Sequence, residues 1–466
     1  MNLTLRQFQS NIITSTRKAM RSFRRVLIQA PTGAGKTVIA TFIAASIVKK
    51  QKRLYFICHR QELITQTAKT FAKNGIAVSY IANGYRYNPM CKVQICSIDT
   101  LKNRYKNLPL PDLCIWDEAH HLGAAGWSRV MDHYDQAFHI GLSATPQRLD
   151  GKGLKQWFDE IIIEISVAEL IKLGFLSDYR IFAPSKPNLE GVKMSMGDYN
   201  KTEIASIMDT AHLTGDIVKH WKTHALGMKT VVFAINVNHS KHIVAMFNAS
   251  GIKAIHLDGD TPRAERKAAC LAFAEGQYDV ISNVALFGEG FDLSAQTDLD
   301  VTIECVVSAR PTQSLSLWLQ MCGRALRQKD YPAIILDHAG NVANHGLPCQ
   351  DREWSLEGDP KQGKKKDEME VPIKECPKCY AVHKPAPACP NCGHIYEVKP
   401  MEINHVDGEL KELSKEEIQQ QARNEQTSAG SLEELIKLGR QRKYKNAAKW
   451  AAHVYTSRLA KQRQRA

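Results

Sequence analysis

The sequence predicts an α/β protein built from two tandem, doubly wound parallel sheets. In the first half of the chain, short apolar runs typical of buried strands alternate with longer helical patterns. The same alternation starts again near residue 230, and this pattern indicates parallel sheets covered by helices on both faces. The predicted domains are residues 1–165, residues 166–350, a linker at 351–375, a cysteine-rich ribbon at 376–395 and a basic, mainly helical tail at 396–466.

The composition is that of a globular protein with a strong positive charge. The chain has 466 residues, of which 44% are hydrophobic, and no apolar run reaches the roughly 18 residues that suggest a membrane span. The formal net charge of +14 favours a polyanionic partner such as nucleic acid. Because no apolar run is long enough to span a membrane, we expect no membrane partner. The scattered single cysteines indicate a reducing, cytoplasmic location.

A phosphate-binding loop stands between the first predicted strand and a long apolar helix. Residues 30–37 read A-P-T-G-A-G-K-T. The two glycines allow backbone N–H groups to turn toward a phosphate, the lysine can reach its oxygens, and the last threonine can hold Mg²⁺. Ala30 stands where the general pattern has glycine. The candidate ATP-binding residues here are Thr32, Gly33, Ala34, Gly35, Lys36 and Thr37.

Two adjacent carboxylates follow a later apolar strand. Residues 113–116 read L-C-I-W and run directly into Asp117, Glu118, Ala119 and His120. A carboxylate at a strand end can hold Mg²⁺, and a neighbouring one can activate a water molecule. An acidic turn by itself is common, but with a phosphate-binding loop upstream it favours ATP hydrolysis.

Polar side chains also follow other predicted strands. Because the carboxyl ends of parallel strands meet at one edge of a sheet, such side chains are expected to line a ligand crevice. In the first half these residues are Arg60, Ser97, Thr100, Ser143 and Thr145. The second half has no phosphate-binding loop and must supply other groups. Its candidates are Gly290, Asp292, Gln320, Arg324 and Arg327.

Four cysteines form two C-x-x-C pairs separated by nine residues. They are Cys376, Cys379, Cys389 and Cys392. Four thiolates on two tight turns satisfy the requirement for a closed tetrahedral Zn²⁺ site, and a segment this short needs a metal to fold. Disulfides are the alternative, which a reducing compartment disfavours.

The tail is strongly basic. Between Ser431 and Ala466 the sequence has ten lysines and arginines against two glutamates, with Tyr444, Trp450 and Tyr455 interleaved. Aromatic side chains among basic ones can stack on bases, and they can equally pack onto the body of the protein. The charge can likewise serve a polyanion or form a solvated helix face.

Taken in order, these motifs resemble those of superfamily 2 helicases of the DEAH type. They are most similar to RadD-like DNA helicases, which also carry a cysteine-rich zinc module after the motor. The resemblance covers roughly residues 3–345 and 376–392 and rests on the order of the motifs. It implies two RecA-like domains with ATP and Mg²⁺ in the cleft between them, Zn²⁺ in the ribbon, DNA as the partner and a role in DNA repair.

The resemblance also implies roles for individual residues. Catalytic roles fall on Lys36, Asp117, Glu118, Gln320, Arg324 and Arg327. Nucleotide contacts fall on Arg6, Gln9, Thr32, Gly33, Ala34, Gly35, Lys36, Thr37, Gly290 and Asp292, with Mg²⁺ at Thr37 and Asp117. Nucleic-acid contacts fall on Arg60, Ser97, Thr100 and Phe233. Ser143 and Thr145 link hydrolysis to strand movement.

The resulting prediction is an ATP-driven motor that acts on nucleic acid as a helicase or translocase. One alternative is an ATP-switched clamp that recruits partners without processive unwinding. A second alternative keeps the enzyme and changes the substrate to RNA. We prefer DNA because the zinc-bearing relatives act there. The sequence does not indicate a protein partner.

Overall fold

A computed structural model forms two compact units, Met1–Tyr396 and Glu397–Ala466. The structure describes residues 4–148, 151–183, 192–195, 198–209, 211–287, 293, 297, 299, 301–358, 373–396, 425–426, 428–429, 431–441, 447–448, 450–452 and 454–456. Within its first unit, two parallel sheets each form the centre of a lobe. This confirms the predicted pair of RecA-like, parallel-sheet domains.

Lobe 1 is built on a seven-stranded sheet in the order β3-β4-β2-β5-β6-β1-β7, in which every pair is parallel. The strands are β1 (Arg25–Gln29), β2 (Leu54–Cys58), β3 (Val78–Ile81), β4 (Val93–Ser97), β5 (Leu113–Asp117), β6 (Phe138–Ser143) and β7 (Glu160–Ile163). The central strands β2, β4 and β5 are buried along their whole length. Their continuous apolar runs follow from helices covering both faces of the sheet.

Helices pack on both faces of this sheet. They are α1 (Gln7–Ala19), α2 (Lys36–Lys49), α3 (Gln61–Lys73), α4 (Ile98–Arg104) and α5 (Ala125–His133), with short 3₁₀ turns at Tyr105–Asn107 and Ala119–Gly123. The connection to lobe 2 contains α6 (Val167–Lys172). Ser166 and Glu169 cap that helix reciprocally, because each side chain bonds the other's backbone N–H.

Lobe 2 contains an eight-stranded sheet in the order β12-β13-β11-β14-β15-β8-β17-β16. Its parallel strands are β8 (Tyr179–Phe182), β11 (Thr230–Phe233), β12 (Ala254–Leu257), β13 (Val280–Asn283), β14 (Cys305–Ser308) and β15 (Ala333–Asp337). A separate two-stranded hairpin is formed by β9 (Met194–Ser195) and β10 (Asp198–Tyr199). The helices are α7 (Lys201–Met208), α8 (Ala211–His224), α9 (Val237–Ala249), α10 (Arg263–Ala274), α11 (Leu315–Ala325) and α12 (Asn341–His345).

The cysteine-rich ribbon extends the sheet of lobe 2. Its strands are β16 (Lys374–Glu375) and β17 (Ala381–His383), and β17 pairs antiparallel with β8. Cys376 and Cys389 are buried in the same apolar cluster as Phe182 and Leu336 of the lobe. The ribbon is therefore the edge of this sheet.

Residues 346–358, which we call the strap, leave lobe 2 and return to lobe 1. The sequence predicts the start of a linker at residue 351, but Leu356 is 6% exposed and packs with Leu154 and Phe158. The Lys155 N–H donates to the Leu356 carbonyl at 2.9 Å. The linker interpretation is thus corrected for residues 351–358. Leu356 finds apolar partners in lobe 1 that are distant in sequence.

The second unit contains α13 (Leu432–Gln441). Ser431 and Glu434 cap this helix, because the Glu434 N–H donates to Ser431 Oγ at 3.1 Å and the Ser431 N–H to the Glu434 carboxylate at 3.3 Å. A Cβ at Gly439 would lie 3.0 Å from Trp450. Trp450 therefore packs against α13 within the second unit, and the two roles predicted for the aromatic residues of the tail stay predictions.

Candidate active site and metal centre

The phosphate-binding loop turns between β1 and α2 as the sequence predicts. Gly33 (φ 89°) and Gly35 (φ 83°) both have left-handed backbone conformations that favour glycine. Ala30 is not among the residues with positive φ, and its N–H donates to the Ser143 carbonyl at 2.9 Å. Alanine fits there because the chain is still held against β6.

Gln9 fixes the loop from α1. Its Oε1 accepts from the Arg6 N–H at 3.0 Å, and its Nε2 donates to the Ala34 carbonyl at 3.1 Å. A Cβ on Gly35 would lie 2.7 Å from Gln9 Nε2. The second glycine is therefore required both by its φ angle and by the approach of this amide.

Lys36 and Glu118 form an ion pair at the centre of the site. Lys36 Nζ lies 3.0 Å from Glu118 Oε1, and both side chains are largely buried. His120 Nδ1 lies 3.5 Å from the other carboxylate oxygen. Glu118 has φ 49°, a strained conformation for a residue with a side chain and one that clusters at active sites.

Asp117 ends β5 beside this pair. Burial and the adjacent Glu118 carboxylate both raise the pKa of Asp117 and Lys36 opposes them, so that the pKa lies at about 6. A buried carboxylate with its pKa raised in this way gains most from a nearby cation. Thr37 lines the same cleft. The two predicted Mg²⁺ residues thus lie in one polar site, and their oxygens are donors that suit this ion.

Lobe 2 closes the site from the opposite side. A cleft of about 360 Å³ lies between the lobes. Its walls contain the predicted residues Arg6, Thr32, Gly33, Gly35, Lys36, Thr37, Asp117, Glu118, Gln320, Arg324 and Arg327. Gln320 and Arg324 lie on α11, and Arg324 is only 7% exposed. The fold therefore brings residues more than 300 positions apart in the chain, such as Arg6 and Arg327, into one cleft.

A chain of side-chain hydrogen bonds joins the lobes beside this cleft. His120 Nδ1 is hydrogen-bonded to Ser143 Oγ at 3.2 Å, and Ser143 Oγ donates to the Thr145 carbonyl at 2.7 Å. Thr145 Oγ1 donates to Ser316 Oγ at 2.7 Å across the interface. Gln320 Nε2 also donates to Ser316 Oγ, at 3.4 Å. The two predicted coupling residues, Ser143 and Thr145, thus connect His120, which lies beside Glu118, to helix α11.

Sequence reasoning missed Phe175 and Leu176, which line this cleft, and Ser316 beside it. Ser316 has no motif of its own and is recognised only by its hydrogen bonds. Phe175 lies beneath the Arg6 guanidinium, which is 4.1 Å from the centre of its ring. Leu176 forms a β-bridge with Arg327, and this pairing places both residues in the cleft. No local pattern could have identified them, because the pairing spans about 150 residues.

The residues predicted to contact nucleic acid differ in their contacts and in how far they are buried. Arg60 donates to the backbone carbonyls of Leu286 at 3.1 Å and Ala285 at 3.2 Å, so it contacts lobe 2. Thr100 Oγ1 accepts from the Asn83 N–H at 3.1 Å. Ser97 is 6% exposed and Phe233 is 3% exposed. A direct contact by the Phe233 ring is thus corrected, because the ring packs in the core. Gly290 and Asp292 lie outside the described residues.

The four predicted zinc ligands converge in the ribbon. Their sulfur atoms all lie within 4.8 Å of one another. The Cys376 and Cys392 sulfurs are 3.6 Å apart, and those of Cys379 and Cys389 are 3.7 Å apart. A tetrahedron with Zn–S bonds of about 2.3 Å has edges of roughly 3.8 Å, whereas a disulfide bond is about 2.05 Å. The donor set therefore fits Zn²⁺.

Several basic side chains of the ribbon are engaged within it. Lys374 Nζ lies 3.5 Å from the centre of the Tyr396 ring. His383 Nε2 is hydrogen-bonded to the Tyr396 hydroxyl at 2.7 Å, and its Nδ1 to the Lys384 carbonyl at 2.7 Å. These contacts and the pairing of β17 with β8 favour a bracing role for the ribbon.

Two family models match the chain over the two lobes. Residues 2–148 match the model described as "Type III restriction enzyme, res subunit", and residues 212–329 match "Helicase conserved C-terminal domain". Together with the fold and the cleft, these matches show that the chain belongs to the superfamily 2 helicases. Membership of this family implies an ATP-hydrolysing enzyme.

Two relatives are similar to this chain in sequence, and the name of one of them describes a helicase. The chain is 33% identical over 397 residues to a "51.5 kDa protein" of a Lactococcus phage, covering 84% of this chain and 83% of the phage protein. It is 27% identical over 363 residues to a Saccharomyces cerevisiae protein provisionally named ATP-dependent helicase IRC3. That match covers 71% of this chain but only 51% of the yeast protein.

Solved structures share the fold. The ATP-dependent Type ISP restriction-modification enzyme LlaBIII, in a structure bound to DNA, matches with a TM-score of 0.53 at 16% identity, over 72% of this chain and 27% of that one. Saccharomyces cerevisiae Dbp5, bound to RNA and ADP BeF3, matches with a TM-score of 0.51 at 15% identity, over 74% of this chain and 90% of that one.

Among the described residues, no helix is both long and apolar enough to cross a membrane.

Proposed function

We propose that this protein is an ATP-dependent motor that translocates on DNA and resembles the RadD-like helicases. The observation that carries this proposal is the cleft in which Lys36 and Glu118 of lobe 1 face Arg324 and Arg327 of lobe 2. A site divided between two lobes can couple hydrolysis to their relative movement. The cysteine-rich ribbon supports the RadD-like subtype.

Each side of the cleft has a distinct role in this proposal. Lys36 leaves its ion pair with Glu118 and binds the ATP phosphates, which frees the carboxylate to orient and deprotonate the attacking water. Arg324 and Arg327 stabilise the charge on the transferred phosphoryl group and act only when the lobes close. Thr37 and Asp117 would hold Mg²⁺, which neutralises phosphate charge when bound.

The Arg6–Phe175 pair is the proposed adenine site. A planar cation over an aromatic ring forms a surface on which a base can stack. Gln9 is hydrogen-bonded to the phosphate-binding loop, so occupancy of this site can be transmitted to the loop.

The Arg60 guanidinium is hydrogen-bonded to the Leu286 carbonyl of lobe 2, and we propose that nucleic acid competes for this guanidinium.

The substrate is tested by measuring ATPase stimulation side by side with single-stranded DNA, duplex DNA, forked DNA and RNA of equal length. Stimulation by DNA above RNA supports the proposal, and equal or greater stimulation by RNA contradicts the DNA assignment. Strand displacement and streptavidin displacement on the preferred substrate separate the motor from an ATP-switched clamp. A clamp would bind in ATP but displace neither.

Replacing Ser316 by alanine is expected to lower nucleic-acid-stimulated kcat about fivefold, because one buried hydrogen bond between the lobes is worth about 1 kcal/mol. Basal ATPase should fall less. Ser316→Thr keeps the hydroxyl and should restore coupling. Ser282 is an equally buried serine whose hydroxyl bonds Ser240 within lobe 2 at 2.7 Å, so Ser282→Ala is the matched control. Equal stimulation in Ser316→Ala and wild type would contradict a coupling role.

Truncation after Tyr396 is expected to weaken DNA binding and to flatten its dependence on salt. The removed unit contains the ten basic residues of positions 431–466, and each phosphate that they neutralise releases counterions. The ribbon and the sheet of lobe 2 remain complete in this variant. Fluorescence anisotropy over a salt series measures the slope for both proteins. Identical slopes would show that the tail does not bind DNA.

A further inference from the structure

The strap is anchored to lobe 2 at its beginning. Trp318 Nε1, on the helix α11 that carries Arg324, donates to the Gly346 carbonyl at 3.1 Å. Arg352 then donates to the carbonyls of His345 at 2.9 Å and Leu347 at 3.0 Å. These bonds fold the first half of the strap onto lobe 2. The helix that carries Arg324 is therefore attached directly to the strap.

The end of the strap is anchored to lobe 1. Leu356 lies in an apolar cluster with Trp157 and Phe158, and its carbonyl accepts from the Lys155 N–H. Lys152 and Gly358 form an antiparallel β-bridge. A Cβ added to Gly153 would lie 1.9 Å from the Leu356 carbonyl oxygen. The glycine is thus required by the close approach of the strap backbone.

Between these anchors the strap borders a cavity. A cavity of about 100 Å³ separates the strap from the phosphate-binding loop and α11. Arg352 and Trp354 line it from the strap, Thr32 from the loop and Gly323 from α11. A segment fixed at both ends beside an unfilled space allows small rotations of the lobes and prevents large ones, because its ends cannot separate beyond its contour length.

We propose that the strap limits how far lobe 2 opens from lobe 1, and that Leu356 and Gly153 are positioning residues for the ATP cleft. The chain already crosses between the lobes once, at residues 164–178, and a single covalent connection limits rotation of the lobes less than two connections do. A second connection from α11 to the Leu356 cluster keeps Arg324 and Arg327 within reach of ATP bound on lobe 1. This inference rests on the proposed ATPase function.

Two variants release the strap in different ways. Gly153→Ala introduces a clash with the strap backbone, whereas Leu356→Ala removes its anchor without a clash. Gly126→Ala is the control, because its added Cβ would meet only the flexible Lys102 side chain at 3.4 Å. The full chain is used for ATPase kinetics, for small-angle X-ray scattering without nucleotide, and for scattering with a non-hydrolysable ATP analogue.

Release is expected to raise KM for ATP at least about fivefold, because apparent affinity falls with the fraction of molecules in the competent state. We expect kcat at saturating ATP to stay within about twofold, since bound ATP still closes the cleft. The nucleotide-free radius of gyration should increase, and the analogue should reverse the increase. Gly126→Ala should match wild type in all three.

Unchanged KM and scattering in both release variants, with only thermal stability lowered, would overturn the proposal and leave the strap as passive packing. An unfolded Gly153→Ala, detected by circular dichroism, would shift the decision to Leu356→Ala alone. If the wild-type chain showed no ATPase activity, the proposed function would fail. The scattering comparison would still decide whether the strap limits opening.

Discussion

Replacing Glu118 by glutamine is expected to lower kcat for ATP by roughly 10²–10⁴-fold, which is the usual contribution of a general base. Glutamine keeps the shape of the side chain but cannot accept a proton from the attacking water. It also removes the carboxylate that pairs with Lys36 at 3.0 Å in the present structure. The ammonium is then free for the phosphates, so ATP affinity should be unchanged or higher.

Steady-state ATPase assays and equilibrium binding of a fluorescent ATP analogue measure these two quantities separately. Lys36→Ala is the informative comparison, because it should lose both turnover and nucleotide binding. The Glu118 variant should instead hold ATP and nucleic acid together. Near-normal hydrolysis in Glu118→Gln would show that another group activates the water.

The sequence predicts the fold well where each element has a local cause. The phosphate-binding loop, the carboxylates after β5 and the paired cysteines are short patterns whose chemistry requires their spacing. The strands β3 and β8 have little local signal in the sequence. Val78–Ile81 and Tyr179–Phe182 each have only four residues, with polar side chains at alternate or early positions. They become strands because a neighbouring strand offers hydrogen bonds, which is a tertiary cause.

The candidate site also contains some residues that a local pattern predicts and others that only the tertiary structure reveals. Its motif residues on lobe 1 are recognisable one by one, but their partners depend on how the lobes meet. Arg60 resembles a nucleic-acid residue, yet its guanidinium bonds the backbone at Leu286 on lobe 2. Phe175 lies beneath Arg6, and the next residue, Leu176, pairs with Arg327 of lobe 2. Such contacts arise from the packing of two folded lobes and leave no local pattern in the sequence.

The pairing of the ribbon with β8 decides which variant can test the role of the ribbon. Truncation after Gly358 would remove β16 and β17 and expose β8 as a new sheet edge. Any loss of DNA binding would then mix a structural effect with a lost contact. A single cysteine substitution keeps the strands in the chain and removes only a metal ligand.

Purified protein is expected to contain one Zn²⁺ per chain, and Cys379→Ser should lose it and destabilise lobe 2. A metal that binds only the folded state adds about 4 kcal/mol at a free concentration of 1,000 times its Kd, so the loss should be of this size. Cys91→Ser is the matched control, because this cysteine is also half-buried but lies outside the cluster.

Metal analysis, urea unfolding and DNA binding over a salt series together decide the role of the ribbon. A brace predicts lower stability in Cys379→Ser with an unchanged salt slope, because Lys374 and His383 of the ribbon contact Tyr396. A flatter slope in this variant would assign the ribbon to DNA binding instead. Protein without bound zinc, and with wild-type stability in Cys379→Ser, would contradict the metal centre itself.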